Sequence, residues 1–224
     1  NLSDGTHEIK VRAKDSVGNW SEFGTHNVNI DSTPPSIPKP YSESPTANEN
    51  PTWTWPSIVD ATEYEITLDN VFVQHQTENI FNVSSNLSEG SHIIKVRSKD
   101  ALGNYSEYGT HTIVIDTTAP NVPVPSTYTP TNNNRPTWTW SDVHDAVDYE
   151  ITIDGVVVSN QSSTSYTSSL LQDGSHEINV RAKDNVGNWS LQGSHVVWID
   201  TFAPSVPQPN THSPTKNNTP TWTW

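Results

Sequence analysis

The chain has 224 residues, of which 25 are acidic and 11 are lysine or arginine, for a formal charge of −14. That sign is wrong for gripping a phosphate backbone, so nucleic acid is excluded as a partner. Cysteine is absent, which removes disulfides, thiol nucleophiles and thiolate metal sites, and no apolar run approaches the roughly 18 residues of a membrane span, so this window predicts no membrane insertion. Hydrophobic content is only 31%, yet it is gathered in alternating runs rich in Val, Ile, Tyr and Trp, which favours a folded all-β chain with thin cores over disorder.

The chain says one thing several times. Gly5, Gly90 and Gly174 open a shared stretch, G-[ST]-H, then an alternating run, then K-D-x-x-G-N-[WY]-S, then I-D; PTWTW recurs at Pro51, Pro136 and Pro220. Both landmarks return at intervals of 85 and 84 residues. A period that long is a whole small domain, because solenoid units run about 20 to 50 residues. The divisions are therefore 1–33, the C-terminal part of repeat one; 34–118 and 119–202, two complete repeats; and 203–224, the N-terminal part of repeat four. The two partial repeats together lack a counterpart of 56–85, so the polypeptide reads as a window from a longer protein.

Repeat two gives the elements in order. Pro34, Pro35, Pro38 and Pro40 preclude a central strand and predict an extended, stiff connector leading to an edge strand. Residues 52–55 alternate, with Trp53 and Trp55 on one face. Residues 62–69 follow with Tyr64, Ile66 and Leu68 together; 71–75 and 80–84 are shorter strands. His92, Ile94 and Val96 share a face of the sixth strand, and Ile113 and Ile115 a face of the seventh. Seven alternating strands in about 85 residues without helical periodicity predict a two-sheet sandwich. Glu63 and Glu65 are expected outside, opposite Lys95 and Arg97, with Asp148 and Glu150 opposite Arg181 in repeat three, as exposed pairs that set register.

The order of a Trp-bearing second strand, a Tyr-bearing third and L-x-x-G-[ST]-H before I-x-V-R-x-K-D resembles a fibronectin type III domain. K-D-x-x-G-N-[WY]-S (from Asp15 and Asp100) and I-D-[ST]-T-x-P (from Asp31 and Asp116) resemble the bacterial immunoglobulin-like repeats of large surface adhesins. The resemblance covers the whole window and implies tandem seven-stranded immunoglobulin-like sandwiches in a rod. It departs at His7, His92 and His176, which stand where the fibronectin type III pattern has a tyrosine corner.

In a head-to-tail array of such sandwiches, Asp4 and Asp31 come near Asp60, Asp100 and Asn104, and Glu89 and Asp116 come near Asp142, Asp145, Asp184 and Asn188. Oxygen donors from several segments suit Ca²⁺, which takes about 6 to 8 oxygens; some adhesin repeats of the kind resembled are rigidified by calcium. The alternative is that these Asp and Asn residues start turns. Trp53 and Trp55 belong in the core, whereas Trp20, Tyr105 and Trp189, in the hairpin loop, are the candidate sugar-binding aromatics, unless they cover the neighbouring domain. His92 with His111, and His176 with His195, are expected at opposite ends of their hairpins, each in a structural role. Asn19, Asn104 and Asn188 stand in N-x-S sequons.

No arrangement of residues supports catalysis, and no cofactor other than Ca²⁺ is implied. These features predict a stalk or spacer of an extracellular or cell-surface fibre, in contact with neighbouring repeats of the same polypeptide and adding about 35 to 45 Å per repeat. Two alternatives stand beside it: a polysaccharide-binding accessory module, and a filament subunit that self-associates laterally through its edge strands.

Overall fold

The computed structural model describes residues 1–209, 216, 218–219 and 221–222. Residues 210–215 and 217 of repeat four, together with Pro220, Thr223 and Trp224 of the third PTWTW, lie outside the described residues. The chain forms two compact units, 1–118 and 119–224, and no described residue is helical.

In the first unit, β1 (Gly5–Val11) and β2 (Gly24–Ile30) make a hairpin, and repeat two supplies β3 (Thr52–Thr54), β4 (Glu63–Leu68), β5 (Val71–Gln76), β6 (Ile80–Asn82), β7 (Gly90–Lys99) and β8 (Gly109–Ile115). Repeat three repeats this as β9 (Thr137–Thr139), β10 (Asp148–Ile153), β11 (Val156–Gln161), β12 (Ser165–Thr167), β13 (Gly174–Lys183) and β14 (Gly193–Ile199). Each complete repeat has one four-stranded antiparallel sheet, β5-β4-β7-β8 or β11-β10-β13-β14, and a smaller sheet, β3-β6 or β9-β12. The first, proline-rich edge strand survives as single bridges: Tyr41 pairs with Thr54 on the small sheet, and Thr46 runs parallel to Ile115 on the large one. The Ser44-Pro45 peptide between them is cis, as is Thr129-Pro130 at the equivalent place. The architecture is the all-β two-sheet sandwich that the alternation predicts, of the immunoglobulin-like, fibronectin type III-like kind that the resemblance implies.

Period-two patterning puts the core where the sequence says. Trp53, Ile66, Ile94, Val96, Ile113 and Ile115 are fully buried, as are Trp138, Ile151, Ile178, Val180 and Val197 in repeat three. Trp55 meets Tyr64 edge to face at 5.4 Å, and Trp140 meets Tyr149 at 5.5 Å, a geometry that the ring quadrupoles favour. The two tyrosine hydroxyls accept the Ile58 and Val143 amides at 3.1 and 3.0 Å. Each repeat thus has its own aromatic interior.

Three expectations need correction. First, the proline-rich stretch, expected as a stiff connector leading to an edge strand, is itself packed against its own repeat. Pro35, Pro38 and Pro40 are buried, the Ser98 hydroxyl donates to the Ser36 carbonyl at 2.8 Å, and the segment crosses Gly109 so closely that a Cβ there would stand 1.7 Å from the Pro38 carbonyl oxygen. Prolines suit this path because it makes few ladder bonds and needs few amide donors.

Second, of the charge pairs expected between β4 and β7, that of Glu65 with Arg97 forms but Lys95 meets neither glutamate. Glu63 lies opposite Lys99 and Glu65 opposite Arg97, while Lys95 faces Thr67. The Glu65–Arg97 pair is bidentate, 3.0 Å from Nε and 2.8 Å from a terminal nitrogen, and Glu65 is buried. The register is pinned at the far end of β4 by Asp69, whose amide donates to the Ile93 carbonyl at 2.8 Å and whose carboxylate accepts the Ile93 amide at 2.8 Å.

Third, the paired histidines are not at opposite ends. His92 faces Ile113 while Ile94 faces His111, and His176 faces Val197 while Ile178 faces His195. Each pair is therefore diagonal on one face, two residues apart.

Candidate functional site

The strongest recurring motif, K-D-x-x-G-N, closes on itself. Asp100 Oδ1 accepts the amides of Leu102 and Asn104 at 2.8 and 2.9 Å, and its Oδ2 accepts the Asn104 side-chain amide at 2.7 Å. Asp184 does the same with Val186, Gly187 and Asn188, at 2.7 to 3.0 Å, and Asp15 with Val17 and Asn19 at 2.8 to 3.0 Å. Gly103 and Gly187 sit at φ 96° and 106° to complete the turn, where a Cβ would be strained. Burial alone would raise the Asp100 pKa, but the Asn104 and loop-amide bonds outweigh it and hold the carboxyl below its ordinary 3.8. The stability that this carboxylate confers is complete above that ordinary value and is lost as pH falls through the folded one.

The acid before the sixth strand is committed in the same way. Asp4 Oδ1 accepts the Ser32 amide and hydroxyl at 3.0 and 2.6 Å, and Oδ2 accepts the Thr33 hydroxyl at 2.6 Å. Glu89 accepts the Thr117 amide and hydroxyl at 2.8 and 2.7 Å; Asp173 takes the Thr201 pair at 3.0 and 2.8 Å. Hydrogen bonds from Ser32 to Asp4 and from Thr117 to Glu89 depress both carboxyl pKa values. These acids fasten the exit of the last strand, where Asp31 and Asp116 accept the Thr33 and Thr118 amides at 3.1 and 3.2 Å.

Of the expected groupings, one can be followed within a single unit. Asp31, Asp60 and Asp100 line a common cleft of about 310 Å³ with Ala61, Thr62, Ala101 and Leu102, and the Asn104 amide donates to the Asp31 carbonyl at 3.1 Å. Asp4 is turned to Ser32 and Thr33. In the second unit, Asp142 accepts the Tyr149 hydroxyl at 3.3 Å, Asp145 lies at φ 65° beside His144 Nδ1 at 2.7 Å, and Asp184 and Asn188 belong to the closed loop above. Among the described residues, no three His, Asp or Glu side chains converge closely enough to hold a metal ion.

The loop aromatics each carry a cation on one face. The Arg97 guanidinium lies 4.1 Å from the Tyr105 ring and 4.8 Å from that of Tyr108, whose hydroxyl donates to Glu65. Arg181 lies 4.3 Å from Trp189, and Arg12 4.2 Å from Trp20. Lys99 and Lys183 approach the same rings at 5.3 Å. These stacks are cation–π contacts, and they occupy ring surface that a sugar would need. The sequon amides of Asn19, Asn104 and Asn188 are likewise bound to Asp15, Asp100 and Asp184.

Sequence reasoning missed two residues here. Asp69 and Asp154, at φ 51° in the β4–β5 and β10–β11 turns, reach across to β7 and β13. Asp69 accepts the Ile93 amide at 2.8 Å and contacts His92; Asp154 accepts the Glu177 amide at 2.9 Å and contacts His176. The signal was the dipeptides Asp69-Asn70 and Asp154-Gly155 between alternating runs, a strong hairpin marker.

The loop predicts its own test. Asp184 is almost fully buried, so Asp184→Ala strips the closed loop of its acceptor and should lower the stability of repeat three by about 1–3 kcal/mol, read in a thermal melt, with Asp184→Asn recovering part of the loss.

Neither a family model nor a curated protein matches the chain. Solved structures do resemble it. The fibronectin(III)-like modules of Clostridium thermocellum CbhA are 16% identical, over 71% of this chain and 93% of theirs, at a TM-score of 0.44. The FN1-FN3 domains of chicken CNTN1 are 15% identical over 85% and 76%, at 0.40. The central fibronectin-III array of RIM-binding protein is 16% identical over 86% and 80%, at 0.30.

Proposed function

We propose that this chain is a non-catalytic spacer segment of an extracellular or cell-surface protein, successive sandwiches holding another module at a distance. One observation carries the reading: the residues that recur from repeat to repeat are consumed by the fold itself. Asp15, Asp100 and Asp184 close loops, Asp4, Glu89 and Asp173 fasten the last strand, and the aromatics stack on their own arginines. Residues spent in this way support architecture better than chemistry. The cleft that Asp31 and Asp60 line beside the closed Asp100 loop adds a second part to the proposal, a Ca²⁺ ion that stiffens the contact between repeats one and two; since the carboxylates do not converge, water and backbone oxygens would complete its shell.

Small-angle scattering of the purified chain tests both parts. An elongated, monodisperse particle is expected, and a compact globule would overturn the spacer. Adding Ca²⁺ should narrow the distribution of dimensions relative to chelator, and Asp31→Ala should abolish that response. Identical profiles in Ca²⁺ and chelator would remove the ion and leave the spacer standing.

Lateral self-association is the second reading. The edge strands β5 and β11 read VFVQHQ and VVVSNQ, without a Lys, Arg, Asp or Glu, and Val71, Phe72, Val156 and Val157 are all more than half exposed. Natural edges are usually guarded by charge. A bulge interrupts the pairing of each edge strand, between Ile66 and Thr67 and between Ile151 and Thr152, and works against long runs of added strand. Concentration-dependent growth of the scattering mass that Val71→Lys with Val156→Lys abolishes would favour this reading over the isolated spacer.

A further inference from the structure

We infer that His92 and His176 are doubly protonated in the folded repeats and act as pH-sensitive latches that join the β4–β5 and β10–β11 turns to the loops preceding β7 and β13. The argument is one of hydrogen count. His92 Nδ1 lies 2.7 Å from Asp69 Oδ2, and its Nε2 lies 2.8 Å from the Ser88 carbonyl oxygen. His176 Nδ1 lies 2.7 Å from Asp154 Oδ2, and its Nε2 2.9 Å from the Gln172 carbonyl oxygen. A carbonyl oxygen has no hydrogen to give, and a carboxylate has none when ionised. A neutral imidazole donates from one nitrogen only and would turn the lone pair of the other against an acceptor. The imidazolium donates from both. The proton belongs on the ring, since a carboxylate is ordinarily the weaker base by more than about two pKa units.

The surroundings support the assignment. Both rings are largely covered, with 11% and 15% of the side-chain surface exposed. From β8 the diagonal neighbour is His111, whose Nε2 lies 3.0 Å from the Ser42 carbonyl oxygen; His195 is the diagonal neighbour on β14. The adjacent acids Glu89 and Asp173 are turned to Thr117 and Thr201. Asp69 and Asp154 are thus the carboxylates that meet the rings. Burial alone would lower both histidine pKa values, but the aspartate and carbonyl bonds outweigh it and raise them above 6.5. His7 makes the carbonyl half of the same arrangement, 2.6 Å from the Ser3 oxygen.

A raised histidine contributes stability in full below its unfolded pKa and loses it as pH rises through the folded one. Alkaline pH therefore releases the turns, and acid pH, down to where the carboxylates titrate, secures them.

The test is ¹⁵N NMR of the histidine-labelled chain, with the two rings identified by the signals that His92→Gln and His176→Gln each remove. Both nitrogens of each ring should carry a proton at about pH 7, with midpoints above the ordinary value of about 6.5. Asp69→Asn and Asp154→Asn keep an acceptor for the Ile93 or Glu177 amide and offer an N–H to Nδ1, so a neutral ring can satisfy both partners. In these variants proton affinity should fall about tenfold or more, and the loss of melting temperature between about pH 6 and pH 9 should shrink. Wild-type midpoints at or below the ordinary value, or midpoints unmoved in the Asn variants, would overturn the inference.

Discussion

Gly109→Ala is expected to unfold repeat two at a markedly lower temperature, and Gly193→Ala to do the same to repeat three. A Cβ on either glycine would stand 1.7 Å from a backbone carbonyl oxygen, that of Pro38 or Pro123, with the carbonyl carbon at 2.8 or 2.9 Å. Neither neighbour is the end of a flexible side chain, so the clash can be relieved only by lifting the proline segment off the sheet. Lifting it exposes Pro35, Pro38 and Pro40 and breaks the Ser98-to-Ser36 bond. Overpacking costs about 1–3 kcal/mol where the structure can adjust; here the upper end or beyond is expected, a drop in melting temperature on the order of 10–20 °C for a domain of this size. Gly24 is the control. The same alanine there meets only the Val11 carbonyl oxygen at 3.7 Å, an ordinary contact, and should change the melt little. Equal effects at Gly24 and Gly109 would refute the packing argument.

Trp53→Ala should cost repeat two about 3–5 kcal/mol, as should Trp138→Ala in repeat three. Both side chains are fully buried, and Trp53 stacks on Phe81 at 6.2 Å. Because the cores are separate, calorimetry should resolve the lesion as one lowered transition beside one that keeps its place. Trp53→Phe should recover much of the loss, since the aromatic surface is kept and only the outer ring is missing. A Trp53→Ala chain that melts like the parent would mean that the indole is not what the sheets close upon.

Both predictions rest on features of unequal legibility. The tryptophans could be read directly, because a strand's period of two forces Trp53 and Trp55 onto one face and leaves Thr52 and Thr54 to water. The same rule found His92, Ile94 and Val96. The docking of the prolines could not be read, since it depends on a missing Cβ some 70 residues further along the chain, and nothing near Pro38 announces Gly109. Proline's lack of an amide says where a segment cannot pair, but not what it lies against.

The acids were legible as recurrent, but the hydrogens that reach them were not. Asp100 and Asn104 stand four apart, a spacing that serves a cation or a turn equally well on paper; the distinction is which hydrogens reach the oxygens. In the fold the Leu102 and Asn104 amides do. The pairing of Glu63 with Lys99 rather than Lys95 was hidden for a related reason, as the register of β4 on β7 is pinned by the bonds between Asp69 and Ile93 and not by charge alone. The histidine at the tyrosine-corner position was plain in the sequence, but its partner Asp69 lies 23 residues away and across a turn.

The side-by-side run of Thr46 and Ile115 has a mechanical consequence. Thr46 donates to the Val114 carbonyl and accepts from the Asp116 amide, each at 3.0 Å, and repeat three makes the same two bonds through Thr131, at 2.9 and 3.0 Å. The first and last segments of a repeat point the same way where they touch, so tension drawn through the polypeptide pulls them past each other. Both bonds then bear load together instead of opening one after the other like a zip, and each sandwich resists being drawn out at the place where force enters and leaves it.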